Sequence, residues 1–274
     1  MSTVYLSQIT LYPIKSLAGV NVSQWPVIAT GFKYDRKWML IDAQGRFMSQ
    51  RSSPRMALIR VELNEQTLQL HAPMQTMLTI PLTQRSEQRV NCTVWQDNCR
   101  ACLVSDEADR WFSEFLQQPC RLVYQADDDI RRVDQNYAQP SDQTAFSDGF
   151  PFLLISESSL ALLNTQMGLN LPMSRFRPNL VVSGCDAYAE DCWRTIRINN
   201  VDFRLPKPCS RCAIPSLNPE TGEYGKEPLA TLSRTRKWQN KVYFGQNALH
   251  NQQGILSVGD EISILSEGQM QPPL

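Results

Sequence analysis

Histidine is nearly absent: His71 and His250 are the only two in 274 residues, and neither stands beside a nucleophile-bearing turn. A Ser-His-Asp or Cys-His hydrolase therefore has little to be built from. Net charge is absent too, with 27 Lys and Arg against 27 Asp and Glu. Nucleic acid is thus not expected as a partner, and any anion site must be local. No apolar run approaches the roughly 18–20 residues that cross a bilayer. The chain opens on a strand-like pattern without the charged, apolar and small-residue order of a signal peptide. No membrane association and a cytoplasmic location are the expectation. A glycine-rich turn leading into a helix is missing as well, which removes P-loop and dinucleotide fingerprints.

What the chain does have is cysteine, eight in all, expected to stay reduced and in several cases to serve as small buried apolar groups. Two pairs have Cys-x-x-Cys spacing, Cys99/Cys102 and Cys209/Cys212. More than a hundred residues separate them, far beyond a zinc ribbon or finger, and no further cysteines follow at iron–sulfur spacing. The second pair stands out by its surroundings. In Pro206-Lys207-Pro208-Cys209-Ser210-Arg211-Cys212-Ala213-Ile214-Pro215, prolines stiffen both flanks and cations accompany the thiols. A stiff cationic loop presenting thiolates suits a soft metal, an electrophile or a disulfide, and spacing alone does not choose among them.

The rest of the chain is mainly β with a few helices. Val4–Tyr12 is a strand pattern; Trp38–Ile41 and Phe47–Met48 flank an Asp-Ala-Gln-Gly turn; Val61–Leu63 and Leu68–Leu70 alternate across a second turn. Ser105 caps a helix whose apolar stripe is Ala108, Trp111, Phe112, Phe115 and Leu116, stopped by Pro119. From Gln125 to Ser147 the pattern lapses into a loop-rich join, so two domains are expected, residues 1–125 and 126–274. Beyond it, Phe150–Ile155 fits a buried strand, and Ser156 caps a helix ending at Gly168. Ile196–Ile198 and Val201–Leu205 form a hairpin that delivers the chain to the cysteine loop.

Several separate loops favour anions: Lys15-Ser16, Asp35-Arg36, the Ser156-Glu157-Ser158-Ser159 cap and Arg177-Pro178-Asn179. Together with the cysteine loop they suit a ligand with a phosphate at one end and a thiolate-seeking metal at the other, a description molybdopterin meets.

Tyr12-Pro13-Ile14-Lys15-Ser16, Asp35-Arg36, Phe176-Arg177-Pro178-Asn179, Ser183-Gly184-Cys185-Asp186-Ala187-Tyr188-Ala189-Glu190-Asp191, Cys209-Ser210-Arg211-Cys212 and Asn218-Pro219-Glu220-Thr221-Gly222 closely resemble the MOSC family. More narrowly, they resemble the branch containing the mitochondrial amidoxime-reducing component and its bacterial relatives. The match runs in order along nearly the whole chain.

The resemblance implies a MOSC N-terminal β domain followed by a MOSC β-barrel domain, with molybdenum cofactor between them. It makes Cys212 the protein's molybdenum ligand and puts Lys15, Ser16, Arg36 and Arg177 on the cofactor's phosphate and pterin. Ser156, Ser159, Asn179 and Ser210 are expected to line the same pocket. Arg211 is expected to stabilise charge beside the ligand, and Glu157 to relay protons. The implied reaction is two-electron reduction of amidoximes, hydroxylamines and N-hydroxylated bases. No ferredoxin cluster motif of the kind some relatives carry stands in these 274 residues, and the mitochondrial members' membrane anchor is not expected. A separate electron donor, a flavin or iron–sulfur/haem reductase, is therefore expected. Two other classes remain: a sulfur carrier with a persulfide on Cys209 or Cys212, as in cofactor sulfurases, and a zinc-stabilised binding module.

Overall fold

A computed structural model describes residues 3–273. It is mostly strand, with three α-helices among the described residues: α1 (Asp106–Leu116), α2 (Glu157–Met167) and α3 (Leu229–Thr235). The cap signals in the sequence work as expected. The Ser105 hydroxyl accepts from the Ala108 amide at 3.2 Å, and Asp106, Glu107 and Asp109 complement the dipole of the first turn. α1 ends just before Pro119, at Gln117 in a left-handed conformation (φ 55°), and its stripe of Trp111, Phe112 and Phe115 is buried. That stripe packs with Ile14, Trp38, Leu68, Leu70 and Leu122 into one of two large apolar cores. Each such side chain contributes roughly 1.5–3 kcal/mol.

The other large core lies on a nine-stranded sheet. Its main path runs Ile262–Glu267, Trp193–Ile198, Val201–Ser210, Lys241–His250, Phe152–Ser156, Leu180–Ser183, Tyr5–Leu11 and Val20–Val22. Phe152–Ser156 and Leu180–Ser183 are parallel, and both read as the continuous apolar runs of strands covered on two faces. A four-stranded sheet carries Trp38–Ile41, Arg121–Gln125, Asp97–Leu103 and Arg89–Val94 in that order. The Asp42 turn forms as expected: its Oδ1 accepts from the Gln44 and Arg46 amides, each at 2.9 Å. Gly45 sits at φ 77°, where a Cβ would come within 2.7 Å of the Asn91 carbonyl oxygen, so only glycine fits.

Two features depart from the sequence pattern. The N-terminal strand pairs with Leu180–Ser183, with Tyr5 opposite Ser183 and Ile9 opposite Leu180. The strand Gln24–Ile28 likewise takes Gly254–Ser257 as its neighbour. Elements of the first 125 residues are therefore built into sheets of the second half, because edge strands pair by hydrogen-bond availability rather than by sequence order. The cysteine stretch is also less of a loop than its prolines suggest. The strand Val201–Ser210 runs through Pro206 and Pro208 to the first cysteine. Register shifts between Arg204 and Lys207, and between Pro208 and Ser210, absorb the missing amides.

Candidate functional site

The chain brings four separated segments to one cleft: the turn after Tyr5–Leu11, the segment around Asp35, the approach to Leu180–Ser183, and the end of Val201–Ser210. The first three are tied by one buried carboxylate. Asp35 Oδ1 accepts from the Tyr12 amide at 2.7 Å and from Asn179 Nδ2 at 3.1 Å, while Arg36 Nη1 donates to Asp35 Oδ2 at 2.6 Å. Arg36 Nη1 also reaches Asn179 Oδ1 at 2.9 Å. Burial raises the Asp35 carboxyl above its ordinary range, and Arg36, Tyr12 and Asn179 pull it back. Tyr12 is the hinge of the arrangement. The guanidinium carbons of Arg177 and Arg36 lie 4.2 and 4.4 Å from its ring centroid, and its hydroxyl donates to the Pro178 carbonyl at 3.2 Å. Burial pushes its phenol up to about 12, despite the two guanidinium groups. Tyr12 stays neutral and acts as a spacer between like charges.

Ser16, Arg36 and Arg177 all have left-handed backbone, with φ of 68°, 49° and 58°. Non-glycine residues seldom adopt that region, and such strain concentrates where side chains must be aimed. Lys15 is buried. Its Nζ donates to the Phe146 carbonyl at 2.7 Å and to Asp148 Oδ1 at 2.6 Å, which leaves one of its three donors uncommitted. Burial pushes the ammonium down to about 8, against the pull of Asp148. The Asp148 side chain is 59% exposed; desolvation raises its carboxyl, but Lys15 and Arg51 hold it well below the usual carboxylate range. Desolvation lowers the Arg177 guanidinium to about 10, still a cation at neutral pH.

At the cysteine end, Cys209 is half-buried and Cys212 exposed. The partner strand carries Gly245 at φ 79°, next to Gln246, which pairs with Pro208; a Cβ there would meet Ile155 at 2.5 Å. Arg211 does not serve Cys212. Its Nη1 donates to Cys209 Sγ at 3.2 Å and its Nη2 to the Phe176 carbonyl at 2.7 Å. The guanidinium on Cys212 is that of Arg51, whose Nη1 lies 3.5 Å from Sγ.

Lys15, Ser16, Arg36, Arg177, Asn179, Ser210, Arg211 and Cys212 line one cleft, and Arg51, Ser147, Asp148 and Cys209 join them. Ser156, Ser159 and Glu157 are not among its lining residues. The α2 N-terminus does hold a carboxyl group, but it is the chain's own Glu190, which burial raises above its ordinary range. Its Oε1 accepts from the Ser156 amide at 3.1 Å and from Ser159 Oγ at 2.8 Å, and all three residues are fully buried. The helix cap therefore serves a structural carboxyl group. Glu157 is exposed on the first turn of the same helix. Of the added residues, Arg51 follows closely after the Asp42 turn and Phe47–Met48. Asp148 had no signal, since its link to Lys15 spans 133 positions.

The residues present suit an anionic metallo-ligand. Cys212 offers an accessible soft donor, the cations Lys15, Arg36, Arg51 and Arg177 offer anion contacts, and the buried Arg211 Nε and Ser147 Oγ have no hydrogen-bond partner. Cys99 and Cys102 are buried in the strand Asp97–Leu103, and no group of three or more His, Cys, Asp or Glu among the described residues is placed to hold a metal ion. No helix among the described residues is long and apolar enough to cross a membrane.

Two families match the chain in series, the MOSC N-terminal beta barrel domain over residues 3–119 and the MOSC domain over residues 141–263. Human mitochondrial amidoxime-reducing component 1 is 35% identical over 280 residues, covering 96% of this chain and 83% of the human protein. The mouse protein of the same name is 33% identical over 96% of this chain and 82% of its own length. Tomato (Solanum lycopersicum) molybdenum cofactor sulfurase is 33% identical over 94% of this chain, which corresponds to 35% of that larger protein.

Proposed function

The chain belongs to the MOSC-domain family that includes the amidoxime-reducing components, and from that premise we propose that it is a molybdenum-cofactor-dependent reductase of N-hydroxylated compounds. The observation that carries this reading is the cleft itself, where an accessible thiol and five cations, Lys15, Arg36, Arg51, Arg177 and Arg211, converge. Cys212 would ligate the metal; Ser16, Arg36 and Arg177 would hold the phosphate and pterin; Asn179 would keep Arg36 and Asp35 aligned. When bound, the cofactor supplies two-electron redox chemistry at its metal. A separate electron-donor protein completes the system.

Reduction of an amidoxime breaks its N–O bond, takes up two electrons and two protons, and releases the amidine and water. The protein's part is to bind, to orient and to handle protons. Asp148 is the carboxylate lining the cleft, but an acid so far below the usual range is a poor donor near neutrality. Lys15, brought to about 8, is matched to that task, and its third N–H is free to give a proton. Arg51 beside Cys212 and Arg211 beside Cys209 keep positive charge next to both sulfurs. Lys15, oriented by Asp148, would thus take the proton-relay role that the family resemblance implied for Glu157.

The test is elemental analysis of protein made in cofactor-competent cells, beside Cys212→Ala, followed by benzamidoxime reduction with an artificial donor. Molybdenum near one per chain that disappears in the variant, with turnover following it, is the expected result. A sulfur-carrier reading is favoured by the likeness to the tomato sulfurase. It predicts bound molybdenum without turnover and a persulfide on Cys209 or Cys212 by mass spectrometry.

A further inference from the structure

Trp95 breaks a local rule. It sits in the two-residue turn between Arg89–Val94 and Asp97–Leu103, where Val94 pairs with Asp97. Its φ is 57°, a conformation such turns normally give to Asn, Asp or Gly. The residue is also 52% exposed. A bulky aromatic residue in a strained, exposed turn contributes nothing to a core, so the position calls for another reason.

The ring is nonetheless held in place. Its Nε1 donates to Asp148 Oδ1 at 3.2 Å, the Phe47 ring lies 5.1 Å away with an interplanar angle of 58°, and the Arg51 guanidinium lies 4.5 Å from the indole centroid. The same Arg51 reaches Cys212 Sγ at 3.5 Å. Lys15 lies 5.1 Å from the Phe47 ring centroid, and Asp148 lines both the cleft and a neighbouring open basin that Phe47 and Trp95 also line. An oriented, half-exposed aromatic surface is therefore continuous, through one guanidinium, with the thiol that faces the cleft. A surface fixed before the ligand arrives loses little entropy when it is covered.

We propose that Trp95, Phe47 and Arg51 form an aromatic shelf at the mouth of the cleft. It receives the planar conjugated part of the substrate and selects N-hydroxylated groups carried on aromatic or heteroaromatic rings over those on alkyl chains. This rests on the reductase reading for its substrate class, while the shelf itself rests on the geometry of Trp95. Ring stacking of the usual strength gives a preference of roughly three- to ten-fold.

The test compares cofactor-loaded full-length wild type with Trp95→Leu and Trp95→Phe, on benzamidoxime and acetamidoxime. The expected result is a three- to ten-fold fall in the benzamidoxime-to-acetamidoxime ratio of kcat/KM in Trp95→Leu. The loss should lie in KM rather than kcat, with most of it recovered in Trp95→Phe. A ratio unchanged in Trp95→Leu overturns the shelf. In parallel, the indole N–H resonance of Trp95, identified by its absence from Trp95→Phe, is followed during benzamidoxime titration. If wild type reduces neither compound but that resonance shifts, the shelf stands and the reductase reading falls. If the resonance does not move, the shelf falls whatever the activity.

Discussion

Replacing Lys15 by methionine tests the electrostatics of the cleft without any cofactor. The ammonium is buried against Asp148 and the Phe146 carbonyl, with Arg131 and Arg36 near enough to oppose its charge, and its pKa falls from 10.5 to about 8. The folded state thus releases this proton more readily than the unfolded chain. Between pH 8 and 10.5 the unfolded chain binds more protons, so the contribution of Lys15 to stability rises with pH through that window. Below pH 8 the charged lysine costs the fold about 3 kcal/mol, the gap between the two values at 1.36 kcal/mol per pH unit. About 2 kcal/mol of that should be recovered between pH 7 and pH 9.5. Lys15→Met has no such term, and other titrating groups are shared by the two proteins. In urea unfolding, the wild-type-minus-variant stability should therefore climb by about 2 kcal/mol in favour of wild type from pH 7 to 9.5. A difference that stays flat within about 0.5 kcal/mol would refute the reasoning. It would mean that Lys15 keeps its ordinary pKa and is no acid poised near neutrality.

Cys212→Ser should lose molybdenum and turnover together, whereas Cys209→Ala should keep both in part, as read by metal content and benzamidoxime reduction; the reverse order would exchange the roles of the two thiols. Arg36→Ala should cost the fold about 3–5 kcal/mol by chemical denaturation, because it strips the cation from the buried Asp35. Asp35→Asn in the same background should recover part of that loss, and a variant as stable as wild type would show that Arg36 serves the cleft alone. Ser159→Ala should destabilise the protein by about 1–3 kcal/mol by removing a donor from buried Glu190. Its bound molybdenum should be unchanged, and a loss of metal at full stability would return the α2 N-terminus to the binding site.

Local chemistry was enough for most of the elements. The Ser105 and Ser156 caps, the Asp42-to-Gly45 turn and the Asn199-Asn200 hairpin each depend on contacts within a few residues, and each forms where its residues demand. The convergence of Lys15, Arg36, Arg177, Asn179 and Cys212 was legible through the family resemblance of the loops that carry them.

What the sequence by itself determined is the inventory: a strand-rich chain, a thiol pair flanked by cations, and several loops of anion-binding composition. Tertiary structure alone decided which of those loops met. Glu190 takes the donors at the α2 N-terminus, a pairing across 31 positions that no local rule announces. Arg51 rather than Arg211 came to Cys212 because the strand end turns the Arg211 side chain back to Cys209 and Phe176. Asp148 met Lys15 because the end of the 125–147 segment is tied to the cleft, with the Phe146 amide bonded to the Arg36 carbonyl. Side-chain charge and capping preference are properties of a few adjacent residues, whereas desolvation and ion pairing depend on what the folded chain brings within a few ångströms.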